Sequence, residues 1–186
     1  LHGGGRIVGR DSYVSFEYLC QGFSVRIAIL TNFKAWTDSY SLTHVVHAQA
    51  LTLAKYGHEV TVFTLSGSGL PEQNELLFYY DCWPCLAKDP ETDTKTLSAI
   101  LPSFDVVFTH DWILNAGNAL LRDSLVKSAE ALNAIPFLHW IHSAPNFGPF
   151  DFWDIGLYGP KHKIVYPVHC DLQRVADKFK ARRDQI

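Results

Sequence analysis

The chain has 186 residues and a mass of 21.0 kDa, with 47% hydrophobic and 19% charged residues, a balance that suits one globular α/β domain and excludes a disordered or fibrous chain. A formal net charge of −3 offers no basic face for a phosphate backbone, so nucleic acid is not expected as a partner. No apolar run is long enough to span a membrane, the start lacks the layout of a secretory signal, and the scattered Cys20, Cys82, Cys85 and Cys170 form no disulfide framework, so the expectation is a soluble, cytoplasmic protein.

Residues 1–23 carry Gly3, Gly4, Gly5 and Gly9 without a sustained period and read as an appendage or edge element ahead of a domain over 24–186. The nearly continuous apolar run Val25 to Leu30 reads as a strand covered on both faces, broken abruptly at Thr31-Asn32-Phe33-Lys34. Leu42, Val45, Val46, Ala50, Leu53 and Ala54 come next at helical spacing, and Gly57 can end that helix in the left-handed conformation. His58 to Phe63 starts the next strand at once, so the helix must cross back over the sheet and leave the loop from Thr31 to Tyr40 at the carboxyl edge of the first strand.

Further along, the expected elements are a third strand over Leu76 to Tyr80, a short helix over Thr94 to Leu101 stopped by Pro102, and a buried strand over Phe104 to Thr109. A long helical stripe runs from Ala116 to Leu132, then strands over Phe137 to Ile141 and Lys163 to Val168, and an amphipathic closing helix marked by Leu172, Val175, Ala176 and Phe179. Strands alternating with helices define a doubly wound, mostly parallel Rossmann-like sheet. In such a sheet the polar residues that end strands, Asn32, Lys34, His110, Asp111, His142, Ser143 and His169, are expected to converge on one rim, where ligands bind.

An imidazole beside carboxylate and hydroxyl groups suits acid–base work or the binding of sugar hydroxyls, which singles out His142; Asp111 can alternatively cap a helix starting near Trp112. Cys82-Trp83-Pro84-Cys85 has the spacing of a redox dithiol, but Pro90 soon interrupts the segment after Cys85 and no second ligand pair for zinc stands nearby, so it reads as an incidental loop pair. Phe147, Phe150, Phe152, Trp153 and Tyr158 read first as packing of a structured loop and second as stacking faces for sugar rings. Neither a dinucleotide fingerprint nor a Walker-type phosphate loop is present, which disfavours hydride transfer.

Arg26 to Thr31, the helix ending Ala54-Lys55-Tyr56-Gly57, the strand His58 to Thr64 and the segment Phe104 to Trp112 together resemble the amino-terminal domain of retaining glycosyltransferases of family 4 and of the glycogen synthases; Pro136 to His142 is similar to a later strand of that domain ending in His. The resemblance covers about residues 25 to 180 and implies one half of a GT-B enzyme. Its second half, which binds most of the nucleotide-sugar, is expected beyond Ile186, so that this chain alone is expected to be inactive. By position, His142 matches the histidine that approaches the donor sugar, Asn32, Lys34, His110 and Asp111 fall on the acceptor side, and Ser143 adjoins them. Where the family commonly opens its first helix with a Gly-Gly pair, this chain has Ser39-Tyr40-Ser41-Leu42-Thr43, whose backbone cannot approach a donor phosphate as closely.

The resemblance therefore implies a glycosyltransferase acting on a nucleotide-sugar and a hydroxyl acceptor, with no cofactor and no metal. The alternative from a different class is a non-catalytic, carbohydrate-binding or partner-dependent Rossmann-like module; a third is a thiol redox protein using Cys82 and Cys85.

Overall fold

A computed structural model describes residues 24–33, 37, 40–65, 81–87, 89–113, 134–142 and 154–186. At its centre is strand β1, Arg26–Leu30, paired in parallel with β2, Glu59–Leu65, on one side and with β4, Val106–His110, on the other. β3, Asp81–Leu86, pairs with β2; β5, Phe137–Trp140, pairs with β4; and β6, His162–Val165, pairs with β5. The order among the described residues is β3-β2-β1-β4-β5-β6 with every pairing parallel. This is the doubly wound Rossmann order, whose direction reverses between β1 and β4.

Alternation along β1 explains why both faces of the sheet are covered. Ile27 and Ile29 join Val60, Val62 and Phe108 beneath helix α1, Ser41–Lys55, which contributes Leu42, Val46 and Ala50. Ala28 and Leu30 face the other way, with Phe63, Val107, Phe137 and Ile164, against Leu97 of α2, Pro90–Ile100, and Val175 of α3, Leu172–Lys178. Fully buried side chains such as Ile29 and Phe137 each stabilise the fold by roughly 1.5–3 kcal/mol of transfer free energy. Val45, expected in the buried stripe of α1, is instead 42% exposed, because the stripe follows positions 42, 46 and 50 and 45 falls on its flank.

The close of α1 follows the expected chemistry. Gly57 has φ +88, its N–H donates to the Ala54 carbonyl at 2.9 Å, and the His58 N–H donates to the Leu53 carbonyl at 3.2 Å, the paired bonds of a Schellman motif.

The middle of the chain departs from the sequence expectation. Leu76 to Tyr80 lies outside the described residues, and the strand that pairs with β2 is Asp81–Leu86, so Cys82-Trp83-Pro84-Cys85 belongs to a strand and not to a loop. Proline is tolerated there because β3 ends the described sheet, and the register shifts between Thr64 and Leu65 beside it. The next helix begins at Pro90 rather than Thr94. Proline at its first position opens the helix instead of interrupting it, and the Asp89 carboxylate accepts the Thr92 N–H at 2.9 Å as its cap. Leu101–Ser103 adds a short 3-10 turn before β4. β6 starts one residue earlier than expected, at His162, and ends at Val165. Residues 1–23, the stripe from Ala116 to Leu132 and the aromatics Phe147, Phe150, Phe152 and Trp153 lie outside the described residues; Tyr158, half-buried, packs on the core.

Candidate functional site

The reversal of strand order between β1 and β4 opens a crevice at their carboxyl ends. The rim beyond β1 is held by the Thr31 N–H and Oγ1, both donating to the Phe63 carbonyl at 2.9 and 2.8 Å, and by the Leu65 N–H donating to the Phe33 carbonyl. Asn32, half-buried, sits between these anchors. Leu30 is registered beside Thr109, so the chain after β1 emerges next to His110 and Asp111.

His110 closes β4 with its side chain buried, on the face covered by α1. Its Nδ1 lies 2.8 Å from Nε2 of His142, and its Nε2 lies 2.9 Å from Oε1 of Gln49, on the third turn of α1. The two imidazole planes are tilted by only 5° with centroids 5.0 Å apart, too far for face-to-face contact and suited to an in-plane N–H···N bond. Trp140 lies near-parallel to both rings, its centroid 6.2 Å from each, and forms the wall behind them.

Asp111 performs a second join. It has φ +53, a left-handed conformation that Asp adopts more readily than most residues, and its Oδ1 accepts the backbone N–H of His142 at 2.8 Å. Its own N–H donates to the Trp140 carbonyl at 2.9 Å. The carboxylate thus ties the end of β4 to the segment after β5.

The electrostatics derive from burial. Removal from water, and then the neighbouring His142, push the His110 imidazole down to about 3, so it is neutral near pH 7. Burial also lowers His142, against a smaller opposing pull from the Asp111 charge. Tyr40, just ahead of α1 and edge-on to Phe33 at 5.6 Å, has its phenol raised by partial burial and then by Asp111, which places it within electrostatic reach of the same carboxylate.

A second histidine pair lies on the opposite face of the sheet. Thr109 Oγ1 is 2.9 Å from Nδ1 of His139, whose Nε2 is 3.2 Å from Nδ1 of His162. Burial depresses both, His139 well below its ordinary range and His162 to about 4. The Phe137 ring stacks on His162 with centroids 4.6 Å apart.

Of the residues singled out from sequence, the structure brings His110, Asp111 and His142 together and sets Asn32 on the same rim. Lys34 and Ser143 lie outside the described residues. His169 is exposed in the 3-10 turn His169–Asp171, beyond the end of β6. Gln49 and Tyr40 are additions that sequence reasoning missed. Neither had a local signal: Gln49 lies beside the stripe of Leu42, Val46 and Ala50, and its partner His110 is 61 residues away. Among the described residues no three His, Cys, Asp or Glu side chains gather as a metal site would require.

Fold and rim together define a Rossmann-like α/β domain with a polar cluster at its switch point. No protein-family model and no curated protein matches the chain. Among solved structures, a glycosyltransferase from Rickettsia africae ESF-5 is similar, with a TM-score of 0.57 at 16% identity. The match covers 88% of this chain and 42% of that chain, so the present sequence spans less than half of that protein's length. The chain therefore has a glycosyltransferase-like fold.

Proposed function

We propose that this chain is the acceptor-side half of a retaining glycosyltransferase of GT-B architecture, similar to family 4, which moves a sugar from a nucleotide-sugar to a hydroxyl acceptor. The observation that carries the reading is the Gln49–His110–His142 array at the crevice between β1 and β4, in a fold shared with a solved glycosyltransferase. In this reading the acceptor oxygen bonds to the anomeric carbon on the face from which the phosphate departs, the anomeric carbon–phosphate oxygen bond breaks, and the hydroxyl proton passes to the leaving phosphate. His142 orients the donor sugar, while Asn32, Lys34, His110, Asp111 and Ser143 shape the acceptor side. A second domain supplies the positive groups that stabilise the departing nucleotide diphosphate, and the present chain alone does not turn over.

The test is a transfer assay on the full-length gene product with a panel of nucleotide-sugars and glycan acceptors. Activity in the intact protein and at least a tenfold loss of kcat in His142→Ala are expected. Unchanged turnover in His142→Ala would remove that residue from the reaction, and absence of both transfer and nucleotide-sugar binding in the intact protein would dismiss the enzyme.

A further inference from the structure

The Gln49–His110–His142 array is a directed chain of hydrogen bonds, and its direction has a chemical consequence. A neutral imidazole has one N–H and one lone pair, so fixing the role of one nitrogen fixes the other. Gln49 presents Oε1, an acceptor, to His110 Nε2 at 2.9 Å, so the proton of neutral His110 resides on Nε2 and its Nδ1 keeps a lone pair. That lone pair faces His142 Nε2 at 2.8 Å, so His142 donates from Nε2 and is itself left with a lone pair on Nδ1. His142 is half-buried, and among the described residues it is bonded through Nε2 and its backbone N–H, not through Nδ1.

We infer that Gln49 and His110 are positioning residues that hold His142 as its Nε2–H tautomer, so that Nδ1 offers the rim an acceptor for a hydroxyl of the bound sugar. The inference rests on the glycosyltransferase reading for the sugar, but not for the tautomer. Burial of His110 keeps water from competing for its ring nitrogens, both of which are engaged, so the acceptor that Gln49 presents sets the direction of the chain. If Gln49 turned its amide end for end, every bond in the chain would reverse and His142 would present an N–H.

Nitrogen chemical shifts of histidine-labelled full-length protein near pH 7 read the tautomer directly, since a protonated and an unprotonated ring nitrogen resonate far apart. The expected pattern is an unprotonated Nδ1 and a protonated Nε2 at His142. Gln49→Glu, whose carboxylate can only accept, keeps that pattern. Gln49→Leu, of similar size, moves both His142 nitrogens toward averaged values and weakens sugar binding roughly five- to tenfold, the worth of one hydrogen bond. A structural filler at Gln49 would leave the His142 shifts unmoved. A protonated Nδ1 in the unaltered protein, loss of the pattern in Gln49→Glu, or its persistence in Gln49→Leu would overturn the inference. If the tautomer behaves as expected but no sugar or nucleotide-sugar perturbs His142, the relay stands and the function proposed above falls.

Discussion

Asp111 meets a conformational and a bonding requirement with one side chain, and the two can be separated. The residue must accept a left-handed backbone, φ +53, and supply an oxygen to the His142 N–H. Asn satisfies both, so Asp111→Asn is expected to keep stability within about 0.5 kcal/mol, whereas Asp111→Ala loses the acceptor and strains the backbone, at a cost of about 1–3 kcal/mol. Charge is the remaining variable. The Asp111 carboxylate raises His142 against the effect of burial, so its removal in Asp111→Asn lowers the His142 pKa further. Denaturant midpoints and an NMR titration of His142 check the two halves; a His142 that titrates unchanged in Asp111→Asn would contradict the electrostatic account. At this scale the sequence exposes His110, Asp111 and His142 because each comes after an apolar strand, and polar residues ending parallel strands share a rim. Gln49 stays hidden because its partner is distant in sequence, 61 residues away, and side-chain pairings across that distance leave no local pattern.

Helix α2 shows how the same residue type can be read in opposite senses. Pro90 looks like an interruption when the preceding Cys82-Trp83-Pro84-Cys85 is taken as the start of a helix, and like an opening once that segment is a strand. Periodicity alone could not separate these cases, because what decides them is the position of β3 beside β2, which is a tertiary fact. The start of α2 is built from local chemistry: Asp89 caps Thr92, Glu91 and Asp93 place negative charge in the first turn, and Asp93 Oδ1 accepts the Ala87 N–H at 2.7 Å. Asp89→Ala is expected to lower unfolding free energy by about 1 kcal/mol, with Asp89→Ser losing only a few tenths. Equal stability of wild type and Asp89→Ala in urea denaturation would mean that the cap contributes nothing to holding this crossover.

The fold class of the described residues was legible in outline because apolar strands alternate with amphipathic helices, the pattern of a parallel sheet covered on both faces. What that outline conceals is the histidine content of the interior. His110 lies on one face of the sheet and His139 with His162 on the other, all buried and all held below their ordinary pKa by loss of water. A histidine depressed by folding takes up its proton more readily when unfolded. Its neutral form therefore costs the fold nothing above the unfolded value of 6.5, and stability falls as pH drops from there toward the folded value, about 3 for His110 and about 4 for His162. By pH 5 each of these two contributes a loss of about 2 kcal/mol, a large share of the roughly 5–15 kcal/mol that holds a domain folded. The depressed carboxylates Asp105 and Asp184 also lose their contribution on acidification, but only as pH falls through values below 3.8, so the interval from pH 7 to pH 5 belongs to the histidines. Urea midpoints measured across that interval are expected to fall steadily as the solution is acidified, with the loss reversed on return to pH 7; a midpoint that is flat from pH 7 to pH 5 would show that these imidazoles are not buried in their neutral form.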